Sequence, residues 1–332
     1  LRAARLSKRF AGNVTALDAV DLALAAGQLV ALVGGNGAGK TTLLKLIAGQ
    51  LSPDDGSLTV FDNEPKQAKQ EMRRKLSSVS QMPALDPEMT VSETLQLFAI
   101  LYELPASRLS AVITDTVQRF ALESILTRRV NACSGGMQQR LHLACAMLHD
   151  AEFMLLDEPT NNLDTEGREL LWQLLREKSR SGVTVLLSTH DLAAVESFAD
   201  RVLVMHHGRI LAEARPQDLI RTHGVPILEL RFSQAFNEDI LKQSLQALAV
   251  AGDVVIRETS AVFAFSGDAT EEQHILAQLS AAGLTVSSAT HHLPDLASAC
   301  WSLTKDWADR PNVQSRGTGH GRPMGGKRGR KR

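Results

Sequence analysis

The chain has 332 residues, 44% hydrophobic and 22% charged, with a formal net charge of −1. That length can bury a sizeable core in two domains, and the composition is ordinary for a soluble α/β protein. The charge hides an asymmetry: from Pro311 onward come seven Lys or Arg and no acid, leaving 29 basic and 37 acidic groups, or −8, in residues 1–310. A mildly acidic folded part argues against a specific nucleic-acid partner. Cys133, Cys145 and Cys300 lie far apart with no metal-ligand spacing, as expected of reduced, mostly buried thiols. No apolar run approaches the roughly 18–20 residues that span a bilayer. Leu1-Arg-Ala-Ala-Arg5 lacks the apolar stretch of a signal peptide, and the chain does not begin with Met. The expectation is a cytoplasmic chain that works at a membrane only as a peripheral subunit.

In chain order, residues 1–30 read as short strands with turns at Gly12-Asn13 and Ala26-Gly27, and Phe10 precedes the first turn. The apolar run Gln28–Val33 leads into Gly34-Gly35-Asn36-Gly37-Ala38-Gly39-Lys40-Thr41-Thr42, after which Leu43–Gly49 has helical spacing. Pro53-Asp54-Asp55-Gly56 is a turn before a strand at Ser57–Phe61, and Leu76–Met82 is a strand ending at Gln81. From Thr90 to Leu148 the periodicity is helical. Thr90 and Glu93 have capping-box spacing, and Leu95, Phe98, Ala99, Leu101 and Tyr102 are expected on one face. Ser134–Arg140 opens a helix through Leu148. Phe153–Leu156 is a buried strand ending at Asp157-Glu158. A helix over about Glu166–Ser179 follows, then a second buried strand, Val183–Leu187, ending at Ser188-Thr189-His190. Arg201–Met205 and Arg209–Ala212 read as a hairpin around His206-His207-Gly208. This alternation predicts an α/β fold, a mostly parallel sheet with both faces covered.

After about Thr222 the pattern changes. Strand Ile227–Phe232, helix Glu238–Leu248, strands Val254–Glu258 and Ala261–Phe265, helix Thr270–Ala282 and strand Leu284–Ser288 follow the β-α-β-β-α-β ferredoxin-like order, with a last helix at Pro294–Leu303. The expected division is a nucleotide-binding domain at 1–222 with a helical subdomain at about 85–148, a small α+β domain at 223–305, and a basic tail at 306–332. The tail's Gly, Arg and Lys cannot pack a core, so it is read as a disordered end, with contact to anionic lipid or RNA as the other reading.

Gly34, Gly39, Lys40 and Thr41 match the G-x-x-x-x-G-K-[ST] pattern between a strand and a helix, the context of a phosphate-binding loop. Glycines let backbone N–H groups point at phosphate oxygens, and the helix start adds the positive end of its dipole. Lys40 is expected on the terminal phosphates and the Thr41 hydroxyl on Mg²⁺. Asp157, at a strand end, can hold Mg²⁺ through water. Glu158, one residue on, can polarise the attacking water as general base. His190 ends the next strand and can bond the γ-phosphate, while the Gln81 amide oxygen can complete the metal shell.

These residues, in this order over about residues 1–215, resemble the nucleotide-binding subunit of an ABC transporter. Gly34–Thr42 is similar to that family's Walker A motif, Gln81 to its Q-loop and Phe153–Glu158 to its Walker B. Asn161-Asn162-Leu163-Asp164 resembles the D-loop and Ser188-Thr189-His190 the switch histidine. Ser134-Gly135-Gly136-Met137-Gln138 resembles the signature motif. There are departures: Cys133 stands where the family usually has Leu, Gly35 where Pro is common, and Phe10 where the adenine-stacking residue is usually Tyr. No catalytic position is lost. The resemblance implies the ABC ATPase fold and active hydrolysis of ATP with Mg²⁺. It also implies a homodimer or pseudo-symmetric heterodimer, each ATP lying between the phosphate loop of one subunit and Ser134, Gly135, Gly136 and Gln138 of the other. Leu85–Leu104 and Leu293–Thr304 further resemble the drug-, lipid- and polysaccharide-exporting subfamily. That implies export through separate membrane-embedded permease subunits, coupled through the region after Gln81. An importer ATPase and a soluble ATPase acting on ribosomes or nucleic acid are the alternatives.

Overall fold

Parallel pairing accounts for strands that show no polar alternation. The computed structural model describes residues 1–12, 14–67, 74–247 and 254–304. Asn13, Leu248 and the basic tail predicted at 306–332 lie outside the described residues. In chain order come β1 (Arg2–Phe10), β2 (Val14–Ala23), β3 (Leu29–Gly34), α1 (Lys40–Ile47), β4 (Asp55–Thr59) and β5 (Leu76–Val79). Three helices follow, α2 (Val91–Leu101), α3 (Ala106–Arg119) and α4 (Gly135–Ala146). Next are β6 (Phe153–Asp157), α5 (Thr165–Arg180), β7 (Thr184–Ser188), α6 (Leu192–Phe198), β8 (Arg201–His206), β9 (Arg209–Ala214) and α7 (Pro216–His223).

The central sheet has the order β5-β6-β7-β3-β8-β9, parallel except for β9. Its residues divide between two cores. Ala31, Val33, Leu156, Leu187 and Val204 face one side, packed with Leu95, Leu141 and Trp172 of the helices. Val30, Leu32, Leu155, Leu186 and Leu203 face the other, packed with Leu43, Leu46 and Ile47 of α1 and with Leu6, Leu17 and Val20 of a three-stranded antiparallel sheet, β2-β1-β4. β1 and β2 are nine and ten residues long, not the short strands expected, because they pair with one another along most of their length.

Helix α2 begins at the predicted capping box: the Glu93 N–H donates to the Thr90 hydroxyl at 3.2 Å and the Thr90 N–H to Glu93 Oε2 at 2.8 Å. Leu95 and Ala99 are buried, and Phe98 and Tyr102 pack partly against the same core. Leu101 does not join them. It is 64% exposed, on the outer side with Leu97 and Ile100, because at 100° per residue it falls away from the Leu95–Ala99 stripe.

The last part comprises β10 (Ile227–Phe232), α8 (Glu238–Ala247), β11 (Val255–Arg257), β12 (Ser260–Ala264), α9 (Ala269–Ala281), β13 (Val286–His292) and α10 (Leu296–Thr304). Its sheet has the order β11-β12-β10-β13, every pair antiparallel, the ferredoxin-like arrangement. β13 lies further along than the predicted Leu284–Ser288: Leu284 is in the core beneath the sheet, and the polar Thr290, His291 and His292 continue the strand opposite Glu229, Leu228 and Ile227. Backbone pairing, with His292 Nε2 at 3.1 Å from Glu229, holds residues that no apolar pattern would place in a strand. Helix α10 returns to the first part: Leu296 and Ala299 join the core of the central sheet, while Trp301 packs on Ile227 and Val262.

Three stability predictions follow from this packing. Trp172 is 1% exposed and stacks on Phe198 at 5.8 Å, so Trp172→Ala should cost about 3–5 kcal/mol in denaturant unfolding. Ile100→Ser, at a 66% exposed site, should stay within about 0.5 kcal/mol. His142, on α4, is 6% exposed, and burial pushes its imidazole down to about 4. The neutral ring favoured by the fold stabilises it fully above about 6.5, where the unfolded imidazole is neutral too. As pH falls from there towards 4 that contribution is lost. His142→Leu should flatten the fall in melting temperature across this window; an unchanged fall would assign it to other groups.

Candidate functional site

β3 runs between β7 and β8, and its last residue, Gly34, lies opposite Met205. There the chain turns into the loop 34–39 and enters α1 at Lys40. Gly34 and Gly39 hold φ of +148° and +104°. A Cβ on Gly34 would lie 2.1 Å from the Met205 carbonyl oxygen, and one on Gly39 would lie 2.4 Å from that of Ala16. Close backbone approach, on top of left-handed φ, makes glycine obligatory at both. Asn36 and Gly37 are exposed at the loop tip, and space over the Gly37 α-carbon is open. Gly39, the N-cap of α1, makes no side-chain cap, and the helix start turns the positive end of its dipole toward the loop. Lys40, 7% exposed, spans the loop: its ammonium donates to the Gly34 and Gly35 carbonyls at 2.5 and 3.0 Å. Ala38, buried behind the tip, accepts the Gly208 N–H at 3.0 Å, which ties the loop to the β8–β9 turn. Thr41 and Thr42 follow in the first turn of α1, both half-buried. Loop and helix together fit a polyphosphate.

β6 lies beside β7 with Asp157 in register with Ser188. The Ser188 hydroxyl donates to Asp157 Oδ1 at 2.6 Å and accepts the Glu158 N–H at 2.9 Å. Asp157 and Glu158 are each 6% exposed. Glu158 holds φ +49°, a backbone that non-glycine residues adopt only where the surroundings impose it. Its Oε1 is 2.9 Å from His190 Nε2, though off the axis of a good hydrogen bond. The strand ends thus bring together the carboxylate and the imidazole that the sequence places 32 positions apart.

Thr41, Gln81 and Asp157 line one cavity of about 300 Å³. Gln81 is exposed at its rim. Hydroxyl, amide oxygen and carboxylate are the hard donors that Mg²⁺ takes, so these three can hold the ion beside the phosphate loop. The Ser188 hydroxyl joins the Asp157 carboxylate to the Glu158 backbone N–H, a role the sequence reading did not give it. A serine two places before a histidine carries no signal until β6 and β7 are paired.

On another surface, Ser134 caps α4, its hydroxyl accepting the Met137 N–H at 3.3 Å. Ser134 and Gly135 are exposed and Gly136 half-buried, a second helix N-terminus able to face an anion. Gln138, grouped with that turn in the sequence, turns inward: its amide donates to the Val130 and Cys133 carbonyls at 2.9 and 3.3 Å and braces the turn from behind. Asp164 caps α5 through the Gly167 N–H at 2.8 Å. Phe10, at the end of β1, is 43% exposed with the Lys8 ammonium 5.9 Å from its ring centre, so a ring face is available for stacking.

Comparison with known proteins matches residues 17–161 to the ABC transporter family. A protein of Rhizobium leguminosarum bv. viciae, Nod factor export ATP-binding protein I, is 38% identical over 229 residues, 68% of this chain and 73% of the relative. The Ralstonia nicotianae protein of the same name is 36% identical over 66% of this chain and 68% of its own. Among solved structures, an ATP-binding subunit of an ABC transporter is 30% identical with a TM-score of 0.62, covering 66% of this chain and 91% of that one. The dimeric structure of a bacterial ABC transporter cassette is 26% identical with a TM-score of 0.60, covering 64% and 97%. With the phosphate loop, the paired strand-end carboxylates and this identity across two thirds of its length, the chain belongs to the ATP-binding subunits of ABC transporters.

Proposed function

We propose that the chain hydrolyses ATP with Mg²⁺ in a two-subunit sandwich, and that this powers export through separate membrane-embedded permease subunits. The observations that carry the reading are Thr41 and Asp157 on one cavity, His190 on another with Gly34 and Gly35 of the loop, and Glu158 at 2.9 Å from His190. The loop amides and Lys40 hold the phosphates, and Phe10 stacks on the adenine. Thr41, Gln81 and Asp157 hold Mg²⁺, which when bound offsets charge on the terminal phosphates. Glu158 takes the proton of the attacking water, and the His190 imidazole holds the γ-phosphate and the water in line. Ser134, Gly135 and Gly136 receive the partner's ATP, with Asp164 beside them at the dimer contact. A second anion cradle on another surface has no use within one chain, so it supports a twofold dimer. We assign residues 1–222 to this ATPase and 223–305 to an accessory domain.

No helix among the described residues is long and apolar enough to cross a membrane. In this reading partner subunits supply the membrane path, and the chain takes a peripheral place on the cytoplasmic face. Met82, Ile100 and Leu101, exposed by 80%, 66% and 64%, lie just after Gln81 and on α2, where a permease would dock. The export direction is supported by the names of the relatives.

Three outcomes test this. Glu158→Gln should lower kcat by at least about 100-fold while ATP still binds. Gly34→Ala should weaken binding of a fluorescent ATP analogue more than about tenfold, since the added Cβ meets the Met205 carbonyl. Tagged Glu158→Gln chain taken from detergent-solubilised membranes with ATP present should bring integral membrane proteins with it. Recovery only with ribosomes or nucleic acid would overturn the transport reading.

A further inference from the structure

Two buried side chains hold the turn that presents Glu158: Gln139, which lies outside the quoted motifs, and Ser188, which opens the run ending at His190. Gln139, on α4, is 1% exposed, and its amide donates to the Pro159 carbonyl at 2.9 Å. On the other side Ser188, 0% exposed, accepts the Glu158 N–H at 2.9 Å. Between these two bonds Glu158 keeps φ +49°. A conformation of that kind persists only when its neighbours over-determine it, and a buried hydrogen bond on each flank does so.

Gln139 belongs to the helix that Ser134, Gly135 and Gly136 open. The two segments touch at a second point: a Cβ on Gly136 would lie 2.8 Å from the Asn162 carbonyl oxygen, so helix and loop backbone are at closest approach there. The turn able to receive one ATP and the turn that presents the general base for the other are thus joined within a single chain by the buried Gln139–Pro159 bond and the close Gly136–Asn162 approach.

We propose that Gln139 is a positioning residue: it locks the Glu158–Pro159 turn to the signature helix, so that the aim of the Glu158 carboxylate follows the seating of that helix. It touches no reacting atom and acts through Pro159. The inference rests on the reading of Glu158 as general base.

Steady-state ATP hydrolysis by the full chain tests it. Gln139→Met keeps the length and loses the donor. It should lower kcat by about 10- to 100-fold, the usual cost of a misplaced catalytic group, with KM for ATP unchanged. In the Glu158→Gln background the same change should alter the residual rate less than about twofold, because the group it positions is gone. A parental kcat, a rise in KM that accounts for the loss, or an undiminished effect in the Glu158→Gln background would each overturn the proposal. Gln139→Glu gives an independent reading should Gln139→Met not fold. The introduced carboxyl can donate to Pro159 only when protonated, so kcat relative to the parent should recover as pH falls; a flat ratio would overturn it. Full activity of Glu158→Gln alone would instead mark failure of the general-base assignment.

Discussion

The Ser188 hydroxyl lies 2.6 Å from Asp157 Oδ1 and 2.9 Å from the Glu158 nitrogen, contacts that exist because β6 and β7 are parallel and in register at their last residues. A one-residue slip of β7 would turn Ser188 away and carry His190 with it. Register in turn depends on the all-apolar strands: Leu155, Leu156, Leu186 and Leu187 alternate between two cores, and a slip would exchange every one of them. Hydrophobic packing over the whole sheet therefore sets the position of two carboxylates at its edge.

The phosphate loop depends on the same sheet from the other side. Gly34 must be glycine because β8 lies against it, and Gly39 because β2 does. The antiparallel sheet is held there by the Asp18 N–H donating to the Gly208 carbonyl at 2.9 Å, with Arg209 donating to Asp18 at the surface. The exposed ion pair adds little stability of its own; the buried approach of backbones carries the constraint. At the far end of the chain, α10 places Leu296 and Ala299 in the main core and Trp301 on the ferredoxin-like sheet, so the last helix is packed against both sheets.

Much of this was legible because the chemistry is local. The phosphate loop lies within nine consecutive residues, its glycines and Lys-Thr pair in fixed spacing. The capping box at Thr90 and Glu93 lies within one helical turn, and Phe153–Leu156 announces a buried strand by composition alone. Legibility failed where a residue's role depends on a distant partner. Leu101 has the apolarity of a core residue but falls outside the stripe set by Leu95 and Ala99. The polar end of β13 is a strand because β10 pairs with it. Gln138 stands in the signature run yet turns back to brace it.

By itself the sequence determined the family, the nucleotide chemistry and the order of elements, since strand and helix periodicity and motif spacing are properties of near neighbours. The tertiary structure alone decided which strands lie side by side. Ser188 and Asp157, 31 residues apart, meet through a pairing that no local pattern encodes. The grip of Gln139 on Pro159 and the seating of α10 arise in the same way, from closing long loops around one apolar sheet.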